Sequence, residues 1–472
     1  MVIATLADGI ARRAETLGGR ISETLFEPVI RLGVTGLARS GKTVFITSLV
    51  ANLLDRGRMP GLMAGQEGRI EAAFLQPQPD VTVPRFDYET HLGALTAPEP
   101  HWPESTRMIS ELRLSLRVRP SGLLAGVQGP RTVHLDIVDY PGEWLLDLGL
   151  LDKSYQDWAE ETLSRLAPRA DAQDFIEHAR AADPQAPHDE AVAQDLARRF
   201  TRYLAGAKAS GSYDCIPPGR FLLPGDLEGS PVLTFAPVAV TGPSRRGSLQ
   251  REMERRFEAY KSKVIKPFFH DHFARIDRQV VLVDALEAIH RGPRAVDDLA
   301  RSMTDILSAF RPGRNAFLSH LWRGKRVERI LFAATKADHL HHEQHTRLTA
   351  IMAALTRGAR DRAQFAGAET AAMAIASIRA TTEEMRRHEG RDLPCVRGRL
   401  LEGGRQAAFY PGALPDDPAR LLGPAREGAE GWLDADYEAM RFAPAKLALA
   451  PGDGPPHIRL DRAAQFLIGD RL

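Results

Sequence analysis

The chain has 472 residues, too many for one compact core, so a main domain with substantial insertions, or two to three domains, is expected. Its 62 Lys+Arg against 61 Asp+Glu leave a net charge of +1, which excludes a general nucleic-acid binder held by phosphate contacts. Two distant cysteines, Cys215 and Cys395, fit a reducing cytoplasm and offer no metal-ligand cluster, and no apolar run approaches the length of a membrane span.

Residues 1–30 begin with a stretch that Asp8, Arg12, Arg13 and Glu15 interrupt, so it does not read as a signal peptide. Leu6, Ile10, Leu17, Ile21 and Leu25 fall near one helical face, which predicts a helix packed on the domain, with a peripheral-membrane or partner-docking helix as the alternative. Acidic residues slightly outnumber basic ones there, which argues against anionic lipid.

A first half of a nucleotide-binding domain is expected over 31–150. Ile30 to Thr35 reads as a short buried strand. Gly36 to Thr43 then reads Gly-Leu-Ala-Arg-Ser-Gly-Lys-Thr, a complete G-x-x-x-x-G-K-T loop, and a helix starts at the lysine. Gly36 and Gly41 let the backbone curl so that N–H groups, including those of Ser40 and Val44, point at phosphate oxygens. Lys42 reaches the β- and γ-phosphates, and the Thr43 hydroxyl ligates Mg²⁺. Arg39 is read either as a solvent-facing loop residue or as a cation for transition-state charge. Residues 56–105 look like a long loop with a strand over Ile70 to Leu75. A hydroxyl reaching Mg²⁺ and the γ-phosphate from a mobile loop belongs just before the next strand; Thr106 is the choice and Ser105 the runner-up, with an ordinary loop threonine as the plain alternative. Glu111 to Val118 alternates strictly, as a half-exposed strand at or near a sheet edge does, and Thr132 to Asp139 follows as its antiparallel partner. Asp139-Tyr140-Pro141-Gly142 closes that strand. Asp139 is placed to hold Mg²⁺, and Gly142 to offer its N–H to the γ-phosphate.

Residues 151–275 read as a mainly helical insertion. Leu249, Met253, Phe257, Tyr260, Val264 and Phe268 mark an amphipathic helix that Pro267 should kink or end. Residues 169–190, alanine-rich and polar, are expected to be partly mobile, and Val232 to Val238 to form a strand.

Strand–helix alternation resumes over 276–385 with strands at Val280 to Ala285, Arg329 to Thr335 and Met373 to Ser377, and helices at 296–310 and 344–357. This predicts a parallel-rich sheet covered on both faces. Thr335-Lys336-Ala337-Asp338 ends the middle strand. The Asp338 carboxylate can accept from guanine N1–H and the 2-amino group, and Lys336 can lay its stem over the base. The plain alternative is a helix N-cap with a solvated lysine. Thr335 stands where asparagine is usual. Ser377-Ile378-Arg379 is placed to offer a backbone N–H to guanine O6. His339, His341, His342 and His345 read as a polar loop and helix start rather than a metal site. Residues 386–472 are expected to be an irregular extension closing in a short helix.

Together these motifs resemble, in order and strand context, the Ras-like GTPase domain. More closely the chain resembles the YcjX-like family of bacterial stress-associated P-loop proteins, through Gly36 to Thr47, Asp139 to Trp144, Leu393 to Gly398 and His457 to Arg462. The resemblance implies an α/β P-loop fold, mostly parallel, with a large helical insertion, and GTP/GDP and Mg²⁺ as cofactors. It also implies a stress link and a membrane-protein partner, through which the protein would sit peripherally at the inner membrane. Glu143 occupies the position where Ras-like proteins often carry a water-orienting glutamine; its extra negative charge predicts slow hydrolysis. The expected function is a GTP-binding switch with slow Mg²⁺-dependent turnover, with Lys42, Glu143 and Thr106 as the catalytic set. The alternatives are a nucleotide-gated docking module with negligible turnover and an ATP-using P-loop protein, which Thr335 keeps open.

Overall fold

Among the described residues ten segments are extended: β1 (Val29–Gly36), β2 (Ile70–Gln76), β3 (Ser110–Val118), β4 (Arg131–Asp139), β5 (Arg278–Val283), β6 (Arg329–Ala334), β7 (Glu369–Ala374), β8 (Thr381–His388), β9 (Arg391–Arg399) and β10 (Gln406–Phe409). The helices include α1 (Lys42–Leu54), α2 (Tyr155–Leu166), α3 (Gln173–Ala181), α4 (Glu190–Ser210), α5 (Leu249–Tyr260), α6 (Pro293–Ser308), α7 (His345–Leu355) and α8 (Leu460–Ile468). The structure is a computed structural model that describes residues 27–36, 39–104, 108–121, 129–210, 216–240, 242–308, 327–365, 367–427 and 439–472. The predicted helix of residues 1–30 lies almost wholly outside them.

The first seven strands form one sheet in the order β2-β3-β4-β1-β5-β6-β7. β4, β1, β5, β6 and β7 run parallel; β3 pairs antiparallel with both β4 and β2. The predicted hairpin of β3 and β4 is present, and β2 covers the edge that β3 would otherwise form. Period-two alternation assigns the faces. Val280 and Leu282 of β5, with Leu331 and Ala333 of β6, pack in one cluster with α1 and α8. Val281, Val283, Ile330 and Phe332 face the opposite layer of α6, α7 and the insertion. β1 lies between β4 and β5, so the chain lands on one side of it and then crosses to the other. That reversal opens a crevice at the carboxyl ends of the parallel strands, where α/β sheets bind ligands.

The segment between β4 and β5 is helical and built around aromatic rings. Trp158 stacks on Phe257 at 5.1 Å and meets Phe200 and Phe235 edge-on. A capping box of Ser154 and Asp157 starts α2. The expected kink near Pro267 takes the form of a π-helical turn, Lys261–Ile265, between α5 and the helix Lys266–Asp271. A widened turn absorbs the hydrogen bond that proline cannot donate.

Four expectations are corrected. Residues 56–105 are not one long loop: beside the predicted strand they hold the short helix Met63–Gln66 and the helix Tyr88–Thr96, which Asp87 caps. Residues 169–190 hold the ordered helix α3, which buries Phe175, Ile176 and Ala179. Val232 to Val238 makes no strand: Phe235, Ala236 and Val238 are buried in the aromatic cluster, and the Tyr155 hydroxyl serves as backbone partner, donating to Ala236 O at 2.8 Å and accepting from Val238 N at 3.2 Å. The run is apolar because it is buried, not because it pairs in a ladder. The extension over 386–472 is not irregular throughout, since β8, β9 and β10 form a second, antiparallel sheet. Glu389 and Gly390, both with positive φ, make the two-residue turn between β8 and β9. Among the described residues no helix is long and apolar enough to cross a membrane.

Candidate functional site

β1 delivers Gly36 to the sheet's carboxyl edge. A side chain there would meet Ser40 Oγ at 2.2 Å and the Leu282 carbonyl oxygen at 2.6 Å, so the loop can turn back over β5 only at a glycine. Arg39 and Gly41 adopt positive φ, 65° and 84°, which folds the loop into a cradle ahead of α1. No side chain caps α1, and its first turn holds no acid, so its leading N–H groups are left for an external anion. Ser40 Oγ and Thr35 Oγ1 are buried without a hydrogen-bond partner among the described residues. An orphaned hydroxyl, a glycine cradle and an uncapped helix start suit a phosphate chain.

The cradle is one wall of a cavity of about 530 Å³. Arg39, Ser40, Gly41, Lys42, Thr43 and Val44 line that wall, and Thr335, Lys336, Asp338, Ser377 and Ile378 line the other. Residues some three hundred positions apart thus face one space. Asp338 is buried, and its Oδ2 accepts from Ala380 N at 2.9 Å, which fixes the carboxylate's rotation. It caps no helix: α7 starts at Gln344 without a side-chain cap. Lys336 adopts positive φ, and its ammonium pairs with Asp284 at the end of β5, so it is not simply solvated. The 377–379 loop is braced from the C-terminal segment: Ala376 and Ile458 exchange backbone hydrogen bonds at 3.0 and 2.9 Å, and Arg379 N donates to Pro456 O at 2.7 Å.

Asp139 ends β4, buried, in register with Val34 of β1 and Ser110 of β3. Gly142 opens the short helix Glu143–Leu146 in an ordinary helical conformation. Gly36, Asp139 and Gly142 stand at the strand ends without lining the cavity; Glu143 lines it. The Glu143 carboxylate is almost fully buried and pairs with Lys208 of α4 at 2.8 Å. Trp144 is buried under the Arg220 guanidinium at 3.3 Å, a packing anchor as expected. Thr106 and Ser105 lie outside the described residues.

The chain belongs to the YcjX-like family.

The family model described as "YcjX-like family, DUF463" matches residues 30–472. A protein named "Ras-like GTPase YcjX" from Escherichia coli (strain K12) is 38% identical over 458 residues, covering 94% of this chain and 96% of the relative. A protein of the same name from Shewanella oneidensis is 36% identical over 468 residues, covering 94% of each. The architecture of this family member is accordingly that of the Ras-like P-loop proteins.

Sequence reasoning missed several cavity residues. Lys208 and Leu204 come from α4, and Trp102 and Phe442 line the cavity together, with Trp102 Nε1 donating to Phe442 O at 2.8 Å. Asp284 had a readable signal, an acid ending an apolar strand; Lys208 had none. The histidines do not form one cluster: His341 and His342 lie together, ring centroids 4.3 Å apart, with Glu343 and Glu383 beside them, while His339 and His345 pack elsewhere. His339 meets Phe442 edge-on at 5.2 Å, and burial lowers its pKa. His345 Nε2 contacts the Ala337 carbonyl at 2.8 Å, and His342 contacts Glu383 of β8 at 2.5 Å.

Proposed function

We propose that the protein binds Mg²⁺–GTP in this cavity and hydrolyses it slowly to GDP and phosphate, its nucleotide state acting as a stress-linked switch. One observation carries the reading: a buried carboxylate, Asp338, held in fixed rotation by Ala380 N–H, lines the same cavity as a complete phosphate loop. A carboxylate so held matches the paired donors of guanine, and adenine lacks that pair. The two relatives named as Ras-like GTPases support it. Lys42 and the loop N–H groups hold the phosphates, Lys336 and the 377–378 loop flank the base, and Glu143 orients the attacking water. Thr43, Asp139 and Thr106 are the residues to hold Mg²⁺. When bound, Mg²⁺ neutralises charge on the β- and γ-phosphates.

The test is binding of GTP, XTP and ATP with Mg²⁺ to wild type and Asp338→Asn. A wild-type preference for GTP that shifts to XTP in the variant supports the base assignment. Equal or better binding of ATP by wild type reassigns the chain to the ATP-using P-loop proteins. Glu143 in the glutamine position favours a second reading, a nucleotide-gated docking module for a membrane-protein partner with negligible turnover. Multiple-turnover phosphate release that Lys42→Ala abolishes excludes it.

A further inference from the structure

Among the described residues, the insertion sends one charged side chain into the cavity. Lys208 lies in the last turn of α4, one helical turn after Leu204, and both line the cavity. Its Nζ sits 2.8 Å from Glu143 Oε1; the lysine side chain is 31% exposed and the glutamate side chain 7%. That difference sets the direction of dependence. Lys208 retains access to water, whereas Glu143 has been taken out of it and needs a counter-charge. The closest approach of the pair is to a single carboxylate oxygen, Oε1.

The backbone around Glu143 is gripped from the same side. A Cβ on Gly219 would stand 2.1 Å from Glu143 O, so the insertion's backbone packs directly on this turn. Asp147 accepts from Gly219 N at 2.6 Å and from the Tyr260 hydroxyl at 2.6 Å. These contacts already tie the turn to the insertion without Lys208, so a further buried ion pair is not needed to hold the two together. What Lys208 adds is direction for one carboxylate facing the cavity.

We propose that Lys208 is a positioning residue through which the helical insertion aims Glu143 at the hydrolytic water, so that the placement of α4 sets turnover. This rests on the GTP-hydrolysis reading above. In the step, the water oxygen bonds to the γ-phosphorus as the bond to the β–γ bridging oxygen breaks. GDP leaves with that electron pair, and the water's proton is released with inorganic phosphate. Glu143 orients the water, and Lys208 touches Glu143 only.

The test uses the full chain as wild type, Lys208→Met, Lys208→Arg, Glu143→Gln and the Lys208→Met/Glu143→Gln double variant, with Lys208→Gln in reserve should the methionine variant not fold. The readouts are the GTP dissociation constant, the single-turnover rate, and amide hydrogen exchange over residues 142–148 in the GDP complex. Lys208→Met is expected to slow the step about 10- to 100-fold with GTP affinity within about threefold, and to speed exchange over that segment. Lys208→Arg keeps most of the rate, and Lys208→Met adds no further loss in the Glu143→Gln background. Independent, multiplying losses, a fall in affinity that matches the fall in rate, or an unchanged rate or exchange overturns the positioning role. A wild-type protein that turns over no GTP overturns the hydrolysis reading itself, a result distinct from the other outcomes.

Discussion

Asp147 accepts three hydrogen bonds, from the Tyr260 hydroxyl and the Gly219 and Arg220 amides, yet burial outweighs them and pushes its carboxyl up to about 6 from 3.8. A raised folded-state pKa means that the stability this acid contributes is fully present below its unfolded value, near pH 4, and is lost as pH rises through about 6. The change is on the order of 3 kcal/mol. Asp147→Asn is expected to flatten the denaturation free energy between pH 4 and 7 relative to wild type; parallel pH curves for the two proteins would refute this. Gly36 shows a different constraint. Gly36→Ala drives a methyl into Leu282 O and is expected to cost about 1–3 kcal/mol and to weaken nucleotide binding more than a surface change would, as thermal melts and a binding titration can show. Gly36, Lys42 and Asp338 were legible because each sits at a fixed offset from a strand end. Lys208 was not, because a lysine on the polar side of an amphipathic helix looks like any solvated lysine until its distant partner is placed beside it.

At the scale of elements, the insertion depends on aromatic packing around Trp158, whose ring meets Tyr155, Phe200, Phe235 and Phe257. Trp158→Ala is expected to cost about 3–5 kcal/mol in denaturant unfolding. Because α4 packs on this ring through Phe200, turnover should fall further than phosphate binding does; equal losses would detach the helix from the site. The parallel strands were readable as short unbroken apolar runs: Val280 to Ala285 overlaps β5, though the strand starts two residues earlier and ends at Val283. The second sheet was not, because β8 carries Glu383, Glu384, Arg386 and Arg387 in succession, which masks any alternation. Its stabilising pairs lie across strands, Glu384 with Arg397 at 2.8 Å, and are invisible along the chain. The apolar run at Val232 misled for the opposite reason, since a side-chain hydroxyl took the place of a neighbouring strand.

For the molecule as a whole, the cavity gathers the phosphate loop, the insertion, the 335–338 turn and the C-terminal segment. A ligand there should stabilise all of them together. Mg²⁺–GTP at a hundred times its dissociation constant is expected to add about 2.7 kcal/mol and raise the melting temperature by a few degrees, and Lys42→Ala should abolish the shift. A shift retained in that variant would place the nucleotide elsewhere. The C-terminal helix is held just as firmly: the fully buried Arg278 of β5 is satisfied by Leu467 O at 2.9 Å and Asp470 at 2.8 Å, and Gly61 N donates to Asp461 at 2.7 Å.

The pairing of Ala376 with Ile458 bears on the order in which the protein is made. A ribosome that has translated as far as the 377–379 loop has already extruded Gly36 to Thr43, but not the segment that braces this loop. A nascent chain stalled before Pro456 can therefore carry an intact phosphate cradle and a base loop without its support. On the proposed reading, full competence for nucleotide waits until the segment around Ile458 is free to lie down beside Ala376.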